Sequence, residues 1–126
     1  MLRPIFGNDR PAPDVQLQPH VELHHWRIVQ RGNGTLHIAA QLASGSFRVT
    51  TMLIAIDLQR ALIRTESGRC YHLCAPPEED EFLRGVMGAC AARELFFVDS
   101  DFSDLIWKAI LTGNWSQNSV LLPPFQ

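Results

Sequence analysis

Apolar and polar residues alternate with period two along most of the chain from His20 to Cys74, and the period lengthens to about 3.6 after Pro76. The run "HVELHHWRIVQR" carries Trp26 and Ile28 on one face and Val21, Leu23 and Val29 on the other. "TLHIAAQL" sets Leu36, Ile38, Ala40 and Leu42 against Thr35, His37, Ala39 and Gln41. Gly32-Asn33-Gly34 between them accepts the positive φ of a tight turn, so the two runs predict a hairpin. "ASGS" marks the next turn, and "FRVTTMLIAI" is β-branched and apolar on both faces, as in a strand covered on both sides. Asp57 to Arg60 interrupts the pattern, "ALIRTE" resumes it, and Ser67-Gly68 turns into "RCYHLC". Short connections make sequential neighbours pair, giving a meander of about five antiparallel strands.

Beyond Cys74 the pattern is helical. Pro76 and Pro77 suit a first turn, and Glu78, Glu79, Asp80 and Glu81 complement a helix N-terminus. Phe82, Val86, Ala89, Cys90 and Arg93 then follow one face. "ELFFVD" reads as a short strand or connector. A second helix is expected from Ser100 or Asp101 to Gly113, with Phe102, Leu105, Ile106, Ala109 and Ile110 as its stripe. The predicted fold class is therefore α+β: an antiparallel meander sheet with two C-terminal helices packed on one face. Residues 1–126 make a single domain, with a Pro-rich extended arm over 1–19, the meander over 20–75, the helical part over 76–113 and an extended tail over 114–126.

Charge and length remove several function classes. The 126 residues hold 11 basic and 13 acidic side chains, a net charge of -2, with no basic block, so a nucleic-acid partner lacks its electrostatic footprint. The longest apolar run, Met52 to Ile56, falls far short of a membrane span. Pro4 breaks the start before any apolar stretch of signal-peptide length, so a soluble, cytoplasmic protein is expected. Cys70 and Cys74 on one strand would have Cα atoms about 13 Å apart, too far for a disulfide, and the odd count of 3 cysteines also fits a reducing compartment.

"CYHLC" is the one stretch where chemistry is concentrated. Cys70, His72 and Cys74 alternate on one face, and successive positions are near enough to share an ion, although all three are not unless the strand bends. His20, Glu22 and His24 lie on one face of the first strand and would complete a metal site if that strand approached the fifth, with His24 the first donor to consider. As a nucleophile, Cys74 is the better placed thiol, because it lies just before the acidic helix start, and His72 is the neighbouring base. The competing and favoured reading is packing: small side chains on the sheet, with His72 bonded to a neighbour. Phosphate-loop, dinucleotide, hydrolase-elbow and His-Glu-x-x-His patterns are absent, and no cofactor is expected. "DSDFSD" lacks the glycine and glutamate of a calcium loop and reads as helix capping.

The segment from Thr65 to Pro77, a Ser-Gly-Arg turn followed by Tyr71, Leu73 and a Pro-led acidic helix, resembles small α+β proteins of unknown function carried on phage and integron gene cassettes. The resemblance implies a mobile-element context and brings no catalytic or ligand residue with it.

Apolar residues on both faces of the sheet leave one face to be covered. A homodimer using Trp26, Ile28, Met52 and Ile54 is the simplest cover, and a small apolar ligand is the other. The tail "LLPPF" is expected to dock on its own domain rather than to serve as a recognition peptide. The resulting expectation is a small intracellular binding or interaction protein, homodimeric and not an enzyme. The alternative is a cysteine enzyme or zinc-binding protein using Cys70, His72 and Cys74.

Overall fold

In the computed structural model, residues 19–96 and 98–115 are described, without the side chain of Asp99. All of the expected arm but Pro19 and most of the expected tail, including "LLPPF", lie outside the described residues.

Among the described residues, eight strands and two helices follow in the order β1 (His20–Leu23), β2 (His25–Arg31), β3 (Leu36–Gln41), β4 (Phe47–Val49), β5 (Leu53–Asp57), β6 (Leu62–Thr65), β7 (Cys70–Leu73), α1 (Glu81–Leu95), β8 (Val98–Asp101) and α2 (Ser103–Thr112). The fold is α+β with two C-terminal helices, as the periodicity predicts. The strands, however, form two four-stranded sheets, ordered β1-β7-β6-β5 and β4-β3-β2-β8. The turns are where the sequence puts them. Gly34, Gly45 and Gly68 take positive φ between β2 and β3, β3 and β4, and β6 and β7 respectively. At the first turn the Thr35 amide also donates to Asn33 Oδ1.

Two expected strands prove to be two strands each, because the chain changes sheet within them. "HVELHHWRIVQR" bends at His24, and "FRVTTMLIAI" breaks at Thr50 to Met52. The first bend changes parity. Val21 and Leu23, then Trp26 and Ile28, would face opposite ways in one straight strand, yet all four enter the same core. The second break, together with a register shift between Leu53 and Ala55, accounts for a run that is apolar on both faces. Thr50 holds this corner, its amide donating to the Ile38 carbonyl and its Oγ1 accepting from the Ile38 amide.

The two sheets therefore cover each other. Leu23, Trp26, Ile28, Leu36, Ile38, Ile56, Ile63, Tyr71 and Leu73 fill the space between them. Each large aliphatic side chain buried there contributes about 2 kcal/mol. The opposite face of the second sheet packs Val29 and Ala39 under Met87, Ala91 and Leu95 of α1.

The helices correct the expectation of a shared face: α1 lies on the Val29 face of β2, whereas Ile106 of α2 joins the intersheet core with Trp26 and Ile28. β8 intervenes by pairing antiparallel with β2, and it delivers α2 to the other side. Helix α1 also starts later than Pro76. Asp80 is its N-cap, with Oδ2 accepting from the Leu83 amide at 3.0 Å. The preceding residues are held outside the helix by the second sheet: Trp26 Nε1 donates to the Ala75 carbonyl, the Glu78 amide to the Trp26 carbonyl, and Arg27 to the Glu78 carbonyl. The buried face of α1 is Met87, Cys90, Ala91 and Leu95, which shares only Cys90 with the predicted stripe, and Phe82 is 74% exposed. In α2, Ile106 and Ala109 are buried as expected, while Leu105 faces outward. Gly113 ends α2 in the left-handed conformation.

Candidate functional site

Strand β7 lies between β1 and β6, and its pairing with β1 is parallel. Tyr71 and Leu73 point into the intersheet core, so Cys70 and His72 take the opposite face, with Cys74 following just past the strand. The parallel register sets His20 beside Cys70 and Glu22 beside His72. The approach of the first strand to the "CYHLC" strand that a metal site would require is thus present, but the donor it supplies is Glu22.

One donor atom each from Glu22, His72 and Cys74 lies within 4.8 Å of the other two. Cys74 Sγ is 3.5 Å from His72 Nδ1 and 3.5 Å from the His72 carbonyl oxygen. The Cys74 amide donates to the Leu23 carbonyl at 2.8 Å, which ties the thiol-bearing residue to the end of β1. Glu22 is exposed, while His72 and Cys74 are half-buried. Of the other residues singled out in the sequence, Cys70 is buried and outside this donor group, and His24 is exposed at the bend between β1 and β2. His24 shares with Glu22, His25, Gln41 and Leu42 the lining of an adjoining groove.

The environment opposes the nucleophile reading of Cys74. Burial first, and the Glu22 carboxylate second, push its thiol above the ordinary cysteine value, so it is protonated near neutrality. The helix that was to lower its pKa also starts later than expected, at Glu81, after a bend at Ala75 and Pro76.

A second polar site carried no motif in the sequence. His37 is buried on β3, with Nδ1 2.9 Å from the Thr50 carbonyl oxygen and Nε2 2.8 Å from Thr35 Oγ1. It lies in a groove with Arg31, Glu66 and Glu94, where burial lowers its pKa below the ordinary histidine value. Its place on the polar side of an alternating strand was the available signal, since that side is covered by the β4–β5 corner and not by solvent.

The expected dimer residues are dispersed. Trp26 and Ile28 are 0% exposed, which corrects their assignment to an interface: the second sheet's apolar face is covered within the chain. Met52 lines the His37 groove, and Ile54 is 37% exposed on β5. Apolar side chains are also exposed at the two ends of α1, Phe82 and Phe96, and on α2, where Leu105 is 38% and Leu111 69% exposed. Leu105 lines a shallow, mainly apolar groove with Ala109, Thr112 and Trp115, bordered by Asp104 and Lys108. In "DSDFSD", Asp101 accepts from the Ser103 amide at 2.8 Å and from the Arg27 guanidinium, consistent with capping and pairing.

No helix among the described residues is long and apolar enough to cross a membrane. No protein-family model, curated protein or solved structure matches the chain.

Proposed function

We propose that this chain is a small binding protein that works by association and forms a homodimer in a reducing compartment such as the cytoplasm. The observation that carries the reading is the solvent side of α2, where Leu105 is exposed in the Trp115 groove and Leu111 is exposed near the helix end. A second copy is favoured over a small apolar ligand by the charges at its border. Asp104 and Lys108 stand one helical turn apart, so a two-fold axis across α2 would set each against its opposite on the other copy. A contact built on a helix of 10 residues is small, and association in the micromolar range follows. The odd count of 3 cysteines fits the reducing compartment. Carriage on a mobile gene cassette belongs to the same proposal through the resemblance over residues 65–80.

Sedimentation velocity across the micromolar range, with native mass spectrometry of untagged protein, tests the reading. A dimer that Leu105→Glu converts to a folded monomer supports it. A wild-type protein that stays monomeric, or a dimer that the substitution leaves intact, removes α2 as the interface.

A further inference from the structure

We propose that Glu22, His72 and Cys74 form a three-ligand zinc site on the outer face of the β1-β7-β6-β5 sheet, with a fourth position open to water. The donor set is one carboxylate oxygen, one imidazole nitrogen and one thiolate sulfur, a mixture that suits borderline Zn²⁺ and not the all-oxygen preference of Mg²⁺ or Ca²⁺.

Geometry on two scales supports the assignment. In a tetrahedral zinc centre, sulfur and nitrogen ligands stand about 3.5 Å apart, given metal–ligand lengths of about 2.3 and 2.0 Å. Cys74 Sγ and His72 Nδ1 are 3.5 Å apart before any adjustment. Glu22 lies within 4.8 Å of both donor atoms, a gap its exposed and flexible side chain closes by rotation. The backbone sets the three residues in place: the parallel register puts Glu22 beside His72, and the Cys74 amide bond to the Leu23 carbonyl holds the third ligand against the same strand end. Binding forms the Zn–S, Zn–N and Zn–O contacts, releases water from the ion, and sends the Cys74 thiol proton to solvent.

The site differs from the one the alternating cysteines alone would build. Cys70 is two residues before His72 and is buried in register with His20, so it is not a ligand. Three protein ligands with an open position are the arrangement in which a metal polarises bound water or accepts a ligand from a partner.

The test is titration of reduced, untagged full chain with Co²⁺, followed by displacement with Zn²⁺. One equivalent of Co²⁺ should give a thiolate-to-metal charge-transfer band that zinc abolishes. Cys74→Ser should eliminate that band, and Glu22→Gln or His72→Asn should weaken binding at least about tenfold. Cys70→Ser should leave affinity and spectrum unchanged. X-ray absorption on the zinc-loaded wild type supplies a readout that no variant's folding affects, with one sulfur in the first coordination sphere expected. Absence of one-equivalent binding, a charge-transfer band surviving in Cys74→Ser, or two sulfurs in the coordination sphere would overturn the assignment.

Discussion

Arg27 on β2 grips the carboxylate of Asp101 on β8 through two nitrogens, Nε at 3.2 Å and Nη2 at 3.1 Å. The guanidinium is almost entirely buried, and Nη1 also donates to the Glu78 carbonyl at 3.0 Å. One side chain thus joins β2, β8 and the link leading into α1. Removing its anionic partner leaves a buried cation with fewer acceptors, while Glu79, 3.8 Å from Nη1, offers only partial replacement. Asp101→Asn should destabilise the fold by about 2 kcal/mol, seen as a lower urea midpoint with an unchanged slope. An unaltered midpoint would mean that Glu79 replaces Asp101 fully.

Ser103 makes a comparable connection without charge. It is fully buried at the start of α2, accepting from the Ile28 amide at 2.8 Å and donating to the Ile28 carbonyl at 3.4 Å. Ser103→Ala orphans a buried backbone donor in a central strand and should cost about 1–3 kcal/mol. Hydrogen exchange locates the effect: the Ile28 amide should exchange faster by more than the global loss of stability explains. Equal losses at all core amides would count against a local role.

His37 makes stability depend on pH near neutrality. Burial is the first cause of its lowered pKa, and nearby Arg31 adds to it, while the bond to the Thr50 carbonyl and the field of Glu66 oppose both. The unfolded chain therefore binds a proton more readily than the folded one. The stabilisation is full above the ordinary histidine value of 6.5 and is lost as pH falls through the lower folded value. His37→Gln should flatten the thermal midpoint against pH over that window. A slope that persists in the variant would assign it to another group.

Glu78 acts in a separate, more acidic window. His25 Nδ1 donates to Glu78 Oε1 at 2.6 Å, and this bond is the largest cause of a carboxyl pKa below the ordinary 4.5. The Asp80 amide donates to the other oxygen at 3.0 Å. Because the folded value is depressed, the stabilisation is present above 4.5 and is lost as pH falls through the folded value. Glu78→Gln should remove the acid step below 4.5 and leave the His37 step unchanged. Disappearance of both steps together would show a single cooperative titration.

Much of this architecture was readable in local patterns. Gly32-Asn33-Gly34, Ser44-Gly45 and Ser67-Gly68 mark turns because positive φ is a property of a residue and its immediate neighbours. The faces of β3 follow from alternation, since Leu36, Ile38 and Ala40 all enter one core. The end of α2 follows from Gly113. Helix α1 was legible as an element but not as a face, because Gly85, Gly88, Ala89, Ala91 and Ala92 weaken the contrast between its sides.

The sequence by itself determined the glycine turns, the two C-terminal helices and the single-face placement of Cys70, His72 and Cys74, which depend on local residue types and on periods of two and 3.6. Tertiary structure decided which strands share a sheet. The bends at His24 and at Thr50 to Met52 send one run of alternating residues into two sheets, so apolar faces that looked in need of a partner cover each other. It also decided that β1 lies parallel to β7 and that Glu22 meets His72 across fifty residues of chain. Pairing at that separation depends on which burial of the whole core costs least, and no local period encodes it.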